Sequence, residues 1–289
     1  FVFENVTGAA GLPIDIKGLG LAIGDVTQDG WPDIFVAGGT ASNPNTNHMF
    51  IAKGDGTYRK LSTNVFDWSS FVKGNEDWVS GAAFGDLNRD GRLDLLVGHH
   101  FGSSVDTSDG ASLRVYMNRG NDASSNPIFE DITSTLALPK IDQKSPHVEI
   151  QDFDNDGWPD LYTSVRIDTA GGFAPLIFTN NGLSGSNPTF TKPAITNPHY
   201  YAGGPVAAFN RDGKLDVFFP EWRSVLGTPV PSMLMQNTGA PGNWLQIKVD
   251  VAGNRMGVGA KVKIYKEGMS NNPAGLLGFI EISPAYGFS

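Results

Sequence analysis

The chain has 289 residues, a formal net charge of -9 and no cysteine. This acidity argues against nucleic acid and anionic membranes as partners, and the lack of cysteine excludes disulfides and thiolate metal sites. The glycine (36 residues) and proline (18 residues) contents are high. Together with frequent turn signals and almost no helical periodicity, they favour an all-β repeat protein. No apolar run approaches the length of a membrane-spanning helix.

The first predicted element is an edge or closing strand at residues 1–7. It contains Asn5-Val-Thr, which is the single Asn-x-Ser/Thr sequon of the chain with x other than proline. If the protein is secreted by a eukaryote, Asn5 is a candidate for glycosylation. The alternative is an unmodified strand residue.

Four groups of short predicted strands follow, each bounded by Gly, Pro, Asn and Asp residues. The groups recur at a spacing of about 60 residues, which suits one four-stranded propeller blade with generous loops. The predicted strands are 19–24, 33–38, 48–53 and 57–62, then 79–85, 93–98, 112–118 and 127–132, then 146–151, 160–165, 175–180 and 188–192, and finally 204–209, 215–219 and 232–237.

Each group contains a nine-residue loop related to a pattern of acids at positions 1, 3, 5 and 9 with glycine at position 6; position 3 is Thr27 or Asn88 in the first two copies, and the fourth copy has Ala208 at position 1 and Asn210 at position 3. The copy at residues 152–160 has all four acids and Gly157. This spacing lets a tight turn surround one hard cation with carboxylate oxygens, and the glycine permits the sharp bend. The loop is not an EF-hand, which needs a glutamate at position 12 between two helices. We therefore predict calcium loops inside β-hairpins.

The predicted calcium ligands are the side chains at positions 1, 3, 5 and 9 and the backbone carbonyl at position 7. They are Asp25, Thr27, Asp29, Trp31 and Asp33, then Asp86, Asn88, Asp90, Arg92 and Asp94, then Asp152, Asp154, Asp156, Trp158 and Asp160, and finally Asn210, Asp212 and Asp216. The fourth loop begins with Ala208 and lacks the first ligand, so an ordinary Asp-Gly turn is an equal alternative there. We expect three calcium sites and leave the fourth open.

Longer segments between the groups carry aromatic and histidine side chains. They are Trp68, Phe71, Trp78, His99, His100, Tyr200, Tyr201 and Trp222. On a propeller such insertions gather on the faces and can build a binding surface. The alternative is that each ring packs over its own blade. The sequence contains no Gly-x-Ser-x-Gly elbow and no acid at metal-ligand spacing from the paired histidines, so we predict no catalytic residue.

The pattern changes after residue 240. Predicted strands at 243–250, 257–265 and 277–283 have no cation loop between them. The expected organisation is a β-propeller-type repeat fold of four-stranded antiparallel blades at residues 1–240 and a small β module at 241–289.

These motifs resemble the FG-GAP/VCBS repeats of integrin-α-type β-propellers. Each loop is followed by a segment of the type Phe-x-Asn-x-Gly, at residues 49–54, 115–120, 177–182 and 234–239. The tail, with Asn243-Trp-Leu, Asn254-Arg and Gly257-x-Gly-Ala-Lys-Val, is similar to the ASPIC/UnbV module. The order of the two parts resembles the cartilage-acidic-protein (CRTAC-like) family. The resemblance implies calcium-binding extracellular proteins of adhesion or matrix type.

Two features differ from this family. Its propellers usually have seven blades, against four recognisable here, and the tail module normally continues beyond Ser289. The pattern therefore fits a fragment, a processed form or a compact variant. The fourth group also lacks its own outer strand, and residues 2–7 resemble the outer strand at 127–132. We expect the N-terminal strand to complete the last blade within one chain; the alternative is pairing between chains.

The leading functional hypothesis is a non-enzymatic, calcium-stabilised structural, adhesion or assembly protein. The expected location is secreted or cell-surface, because weak extracellular modules need calcium at about 10⁻⁴ to 10⁻³ M. Its partner would be a protein or a glycan, with self-assembly through the N-terminal strand as a further option. The alternatives are a carbohydrate-binding propeller and, less favoured, a propeller lyase or hydrolase.

Overall fold

In the computed structural model the chain is all-β, and its antiparallel sheets form four blades in a propeller-like arrangement. The strands follow one another within each blade in sequence order, as the predicted groups require. The structure describes residues 2–13, 18–38, 47–66, 77–101, 113–139, 141, 147–220, 222–223, 229–240, 242–250, 252–253 and 257–282.

The first two blades are regular four-stranded sheets. Blade 1 contains β1 (Gly18–Gly24), β2 (Asp33–Gly38), β3 (His48–Ala52) and β4 (Tyr58–Lys60). Blade 2 contains β5 (Asp77–Gly85), β6 (Asp94–Phe101), β7 (Arg114–Asn121) and β8 (Pro127–Asp131). A one-turn helix, α1 (Thr133–Leu136), leads to the third blade. These strands lie close to their predicted positions.

Blade 3 is larger than its sequence pattern suggests. It contains β9 (Val148–Gln151), β10 (Asp160–Thr169), β11 (Gly172–Ser184) and β12 (Asn187–Thr191). Beyond a register shift between Thr163 and Arg166, β10 and β11 continue as one long hairpin, and β13 (His199–Tyr200) pairs with the extension. Both strands are longer than the predicted strands at residues 160–165 and 175–180.

Blade 4 is incomplete. It contains β14 (Val206–Ala207), β15 (Asp216–Phe219) and, after the separate pair β16 (Trp222–Arg223) and β17 (Pro229–Val230), the strand β18 (Met233–Met235). Among the residues that the structure describes, no strand pairs with the outer edge of β18. The sequence analysis predicted that the fourth group lacks an outer strand, and the described part of blade 4 agrees with this prediction.

The N-terminal segment corrects one prediction. Residues 2–6 form no strand, and Val2 and Phe3 are 99% and 94% exposed. The turn that follows is docked on blade 1 instead, because Ala10 accepts a hydrogen bond from the backbone N–H of Tyr58 at 2.8 Å. The structure thus does not show the N-terminus completing blade 4 within the chain.

The C-terminal region forms a hairpin rather than three strands. The strands β19 (Lys261–Tyr265) and β20 (Leu276–Glu281) pair in antiparallel fashion, and a short 3₁₀ helix (Pro273–Gly275) precedes β20. The predicted strand at residues 243–250 is not formed. The boundary at residue 240 remains a prediction, although the hairpin follows a different pattern from the blades.

The hydrophobic core lies between neighbouring blades. Successive side chains of a strand point to opposite faces. In β6, Leu96 therefore packs toward blade 3, while Leu95 and Val97 pack toward blade 1. In β10, Leu161 packs toward blade 2 and Tyr162 toward blade 4. This two-sided burial explains why the central strands read as continuous apolar runs.

Candidate metal-binding loops

Four nine-residue loops, each joining the first two strands of a blade, form the candidate site. Loop 1 is residues 25–33, loop 2 is 86–94, loop 3 is 152–160 and loop 4 is 208–216. The aspartate at position 9 of every loop is also the first residue of the second strand. Because a β-hairpin holds both ends of each loop, the four loops share one backbone geometry.

The aspartate at position 1 folds the loop around its own carboxylate. In loop 3, Oδ1 of Asp152 accepts the N–H of Asp156 at 3.2 Å, and Oδ2 accepts the N–H of Gly157 at 2.8 Å. The same pair of bonds forms around Asp86, at 3.0 and 2.8 Å, and around Asp25, at 3.0 and 2.7 Å. This arrangement accounts for the fixed spacing of positions 1, 5 and 6.

Two backbone positions in each loop have positive φ. Position 6 is always glycine, with φ of 95°, 83°, 89° and 82° in the four loops. Such angles are accessible to glycine without the clash that a Cβ would cause. Position 4 also has positive φ, between 55° and 62°, and the residues there are Gln28, Arg89, Asn155 and Arg211. The reversed backbone at position 4 directs its side chain away from the loop.

The aspartate at position 9 connects its loop to the third strand of the blade. In loop 3, Oδ2 of Asp160 accepts the N–H of Phe153 at 2.9 Å, and Oδ1 accepts the N–H of Asn180 at 2.8 Å. Corresponding bonds form at the other three loops. The sequence pattern did not reveal this structural role. Each oxygen retains a second lone pair, so position 9 is compatible with its predicted role as a ligand.

The loop acids form concentrated negative charge at partly dehydrated positions. Burial, which penalises the charged form, raises the pKa of Asp33, Asp86 and Asp160 to about 7 and that of Asp152 to about 6. It raises the pKa of fully buried Asp94 well above its ordinary range. Neighbouring acids of the same loop add to these shifts. Ionised loops therefore need a positive counterpart.

Loop 3 has the strongest donor set. One carboxylate oxygen from each of Asp152, Asp154 and Asp156 lies within 4.8 Å of the others, and the last two side chains are exposed. Within the described residues no other group of three His, Cys, Asp or Glu side chains meets this distance. Carboxylate oxygens gathered on an accessible loop are the ligands that hard divalent cations prefer. The three predicted ligands are thus brought together and could hold a metal ion.

Loop 2 has a neutral side chain at position 3 and a cationic one at position 7. Nδ2 of Asn88 donates to Oδ2 of Asp90 at 2.8 Å, and the guanidinium of Arg92 contacts the same oxygen. Nε of Arg92 also donates to the carbonyl of Asn118 at 2.9 Å. Part of the charge on Asp90 is therefore compensated within the chain. Loop 2 is consequently a weaker candidate than loop 3.

Loop 1 is in contact with the C-terminal hairpin. Lys261 and Glu281 face each other across β19 and β20. The ammonium of Lys261 contacts Oδ2 of the buried Asp25, and the two oxygens of Glu281 accept the Asp25 N–H at 3.1 and 3.2 Å. Thr27 donates its hydroxyl to Oδ1 of Asp25 at 3.3 Å. The first predicted ligand of loop 1 thus already faces a cation supplied by the chain.

Loop 4 is held by its own side chains. Nδ2 of Asn210 donates to Oδ2 of Asp212 at 2.9 Å, while Oδ1 of Asn210 accepts the Asp212 N–H at 3.0 Å. The bond from the Lys214 N–H and that from the Asn210 side chain lower the pKa of Asp212. Without an acid at position 1, this geometry supports the alternative of an ordinary turn.

The side chain at position 7 lies over the glycine turn of the same blade. The indole of Trp31 packs on Gly54, and that of Trp158 packs on Gly182. The guanidinium of Arg89 lies 3.7 Å from the centroid of the Trp158 ring. The predicted ligand at position 7 is the backbone carbonyl and not the side chain. The packing of these side chains is therefore compatible with that prediction.

Adjacent loops are joined by their position-4 side chains. Nε of Arg89 in loop 2 donates to the carbonyl of Gly157 in loop 3 at 2.7 Å, and Nδ2 of Asn155 in loop 3 donates to that of Gly213 in loop 4 at 3.1 Å. Gln28 in loop 1 likewise donates to the position-6 carbonyl of loop 2. The four loops therefore form one hydrogen-bonded row.

A second row of bonds runs in the opposite direction. In blades 2, 3 and 4 the asparagine of this Phe-x-Asn-x-Gly-type segment donates from Nδ2 to the position-2 carbonyl in the loop of the preceding blade. The bonds are Asn118 to Val26 at 2.9 Å, Asn180 to Leu87 at 3.0 Å and Asn237 to Phe153 at 2.8 Å. The sequence analysis had identified this segment as part of a motif without assigning the asparagine a role.

The aromatic and histidine candidates do not form a common surface in the described part of the chain. Tyr201 is buried and stacks on Phe219 with the ring centroids 4.5 Å apart, and Tyr200 is half-buried. Trp68 and Phe71 lie outside the described residues. Four further candidates lie in strands, but their side chains are not among those that the structure describes: Trp78, His99, His100 and Trp222.

Two further residues complete the site survey. Asn5 is exposed, and its Oδ1 accepts the N–H of Thr7 at 3.1 Å, so its position is compatible with the predicted glycan without testing it. The buried His147 lies 2.8 Å from Oε1 of Glu149 through Nε2. The sequence analysis did not single out this pair, which lies in blade 3 away from the loops.

Comparison with known proteins identifies the repeats and a set of relatives. Residues 8–97 match the model of the FG-GAP-like repeat family. The chain is 27% identical over 271 residues to cartilage acidic protein 1 of Homo sapiens, covering 91% of the chain and 36% of that protein. Its identity to the proteins of the same name from Xenopus tropicalis and Mus musculus is also 27%, covering 38% and 37% of each. The chain thus spans little more than a third of the relatives' length.

Among the described residues, no helix has both the length and the apolar character needed to cross a bilayer.

Proposed function

We propose that this chain, which carries FG-GAP-like repeats and is homologous to cartilage acidic protein 1 along 91% of its length, is a calcium-binding structural or assembly protein of the extracellular space. The observation that carries the proposal is the group of three carboxylates in loop 3, formed by Asp152, Asp154 and Asp156. The predicted calcium sites of loops 1 and 2 follow at lower affinity.

The residues present fit a calcium ion better than a softer metal. Loop 3 offers carboxylate oxygens and backbone carbonyls, with no cysteine or histidine in the loop. Calcium accepts six to eight oxygen ligands in a flexible arrangement, whereas zinc prefers nitrogen and sulfur. In the proposed site Asp152, Asp154, Asp156 and Asp160 would hold the ion together with the carbonyl of Trp158. The bound ion would neutralise acids that otherwise repel one another.

The proposed role of calcium is architectural. Loop 3 is the centre of the hydrogen-bonded row, because Arg89 reaches it from loop 2 and Asn155 leaves it for loop 4. An ion that fixes loop 3 therefore also fixes the carbonyl and amide groups through which blades 2, 3 and 4 are joined. The relatives' name describes an acidic protein of cartilage and not a reaction, and we propose a non-enzymatic role.

Thermal unfolding with and without calcium tests the proposal. We expect excess calcium to raise the melting temperature of the wild type over that of the metal-free protein. A site filled at 100-fold over its dissociation constant adds about 2.7 kcal/mol. For a chain of this size that corresponds to roughly 4–5 °C. The isosteric double variant Asp154→Asn/Asp156→Asn should lose most of this gain.

The matched control is Asp212→Asn, which alters the same position of loop 4. It should retain the calcium response of the wild type. Terbium luminescence sensitised by Trp158 gives a second readout near loop 3, and we expect its high-affinity component to be lost in the double variant. An identical melting temperature with and without calcium, combined with no terbium signal, would refute calcium binding.

A further inference from the structure

The three complete blades attach their outer strand in one register. In blade 2, Phe129 lies opposite Asn118; in blade 3, Phe190 lies opposite Asn180. In blade 1 the aromatic residue is Tyr58, opposite Ala52. An aromatic residue of the outer strand thus always faces the third-strand residue that opens the glycine turn. Blade 4 has the corresponding residue, Asn237, but no outer strand among its described elements.

The N-terminal segment has the sequence of an outer strand. Residues 3–7 read Phe-Glu-Asn-Val-Thr, and residues 129–133 of blade 2 read Phe-Glu-Asp-Ile-Thr. The match continues into the next turn, where residues 11–13 read Gly-Leu-Pro and residues 137–139 read Ala-Leu-Pro.

The backbone after this segment also repeats that of blade 2. The N–H of Ala10 donates to the carbonyl of Val6 at 2.8 Å, as the N–H of Leu136 donates to that of Ile132 at 3.2 Å. Gly11 has a positive φ of 75°, and Ala137 at the equivalent position has a φ of 46°. The turn at residues 6–11 is therefore folded like the turn that follows the outer strand of blade 2, although residues 2–6 themselves form no strand.

The apolar side chains of the segment are exposed where their counterparts are buried. Phe3 and Val6 are 94% and 54% exposed, whereas Phe129 and Ile132 are 8% and 1% exposed. At a hydrophobic coefficient of about 25 cal/mol per Å², two such side chains are a substantial driving force for docking.

Blade 4 presents the complementary surface. Two residues after its third strand, β18, lies Asn237, which makes the same bonds to its loop and turn as Asn118 does in blade 2. On the face away from blade 3, Phe218 and Leu234 pair across β15 and β18 and are 37% and 59% exposed. The acceptor sheet is thus formed, and one edge and one face remain accessible.

We propose that residues 2–7 of one copy pair with β18 of a second copy and serve as its missing outer strand. By the register of the other blades, Phe3 lies opposite Asn237, Glu4 opposite Gln236 and Asn5 opposite Met235. The donor segment is anchored on blade 1 of its own chain through the bond between Tyr58 and Ala10 and stands clear of any sheet. A second copy satisfies both donor and acceptor without any rearrangement of the docked turn.

The proposed contact is head-to-tail. Each copy carries one donor strand and one acceptor edge, so the interface joins two different surfaces and can extend to further copies. Main-chain hydrogen bonds along β18 provide affinity, and the aromatic position provides the register. The inference does not depend on calcium binding, because no predicted ligand is among the residues of the two paired segments.

Cysteine cross-linking tests the register directly, since the native chain has no cysteine. Purified Glu4→Cys and Gln236→Cys variants are mixed and oxidised. Directly opposed residues of antiparallel strands have Cβ atoms about 4.5–5.5 Å apart, close to the separation that a disulfide bridges. We expect a covalent pair containing one molecule of each variant. The control mixture pairs Gln236→Cys with Lys60→Cys, an exposed position on β4, and should remain uncoupled.

The double variant Glu4→Cys/Gln236→Cys separates the two modes of pairing. A cross-link that forms only within monomers of this variant would overturn the proposal in favour of closure inside one chain. Absence of any cross-link in both experiments would overturn it entirely.

Light scattering of the native protein provides an independent measurement. We expect the mass of the wild type to rise with concentration, and Phe3→Asp to remain monomeric with an unchanged melting temperature, because the Phe3 side chain is 94% exposed within its own chain. A wild type that stays monomeric at high micromolar concentration would contradict the proposed interface.

Discussion

At the scale of single residues, the loop aspartates perform two different tasks. The acids at positions 3 and 5 of loop 3 are exposed and turned to solvent, whereas the acid at position 9 is buried and holds the loop to the third strand. The acid at position 1 belongs to both groups, because it folds the turn and also faces the proposed ion. A calcium pattern in the sequence therefore contains structural carboxylates that are needed whether or not an ion binds.

The raised pKa values predict a pH dependence for the metal-free protein. Asp33, Asp86 and Asp160 have their pKa raised from near 4 to about 7. A group whose pKa is raised by folding stabilises the folded state below its unfolded pKa, and this contribution is lost as pH rises through the folded pKa. We expect the metal-free melting temperature to fall between about pH 5 and pH 8.

Calcium should weaken or reverse this trend, because a bound ion keeps the carboxylates ionised. Melting curves recorded across the same range with and without calcium measure the difference. A metal-free melting temperature that climbs steadily toward pH 8 would mean that the buried acids do not govern stability.

Lys261 is predicted to compete with a divalent ion at loop 1. Replacing it by methionine keeps the aliphatic stem and removes the ammonium from Asp25. In the metal-free protein we expect a loss on the order of 1–3 kcal/mol, because a buried carboxylate loses a charged partner. With calcium the loop should bind more tightly, and calorimetry should detect an additional or stronger site. Lys263→Met, on the same strand beside Phe279, is the control and should change neither quantity.

At the scale of secondary-structure elements, the unit of assembly is a blade together with parts of its neighbours. At the junction between two blades, the asparagine after the third strand donates to the loop of the preceding blade. The side chain at loop position 4 donates to the loop of the following blade. Both kinds of bond end on backbone carbonyls of tight loops, which have no intrastrand partner. The junctions are therefore specified by polar groups as well as by the apolar core between the sheets.

Asn180 tests this polar contribution. Its buried side chain donates to the carbonyls of Leu87 and Pro159 and accepts the N–H of Gly182. Asn180→Ala should lower the free energy of unfolding by about 1–3 kcal/mol, because buried groups lose their partners. Neighbouring Asn181 is exposed, and Asn181→Ala should cost less than about 0.5 kcal/mol. Denaturant titration of both variants makes the comparison, and equal effects would show that the junction bond contributes little.

At the scale of the whole molecule, the row of blades differs at its two ends. Blade 1 has Ala52 where the following blades have asparagine, so it lacks the amide that would reach back to a preceding loop. Blade 4 has Arg211 at the position that would reach forward, but the described chain contains no following loop for it. The two ends thus present surfaces of different kinds, in agreement with a head-to-tail contact.

Blade 4 should be the least protected part of the propeller. Its strand β14 has two residues, β18 has three, and its outer edge is unpaired in the described structure. Amide hydrogens of such short, open elements exchange through local opening at low free energy. We expect hydrogen exchange measured by mass spectrometry to be faster in β15 and β18 than in β6 and β10. Equal protection throughout at low protein concentration would contradict this order.

Local sequence patterns were sufficient to predict the blades and their loops. Strand period, glycine at position 6 and the Asp spacing act over fewer than about ten residues, and each constrains the backbone where it occurs. Strands β1–β12 and the homology of the chain accordingly agree with the predictions. The length of the hairpin formed by β10 and β11 was missed, because a register shift between Thr163 and Arg166 interrupts the strand pattern, and because the extension also pairs with β13, which is remote in sequence.

Tertiary structure alone decided which of the patterned residues meet. The bond from Asn118 to Val26 spans 92 residues, and that from the Asp25 N–H to Glu281 spans 256. No periodicity encodes such partners, since they depend on how whole blades pack against one another. The same holds for the N-terminal segment: its sequence resembles an outer strand, but only the fold shows that residues 2–6 form no strand and that, among the described residues, no strand pairs with the outer edge of blade 4. The reason is that strand pairing is chosen by the geometry of edges, which a linear pattern does not contain.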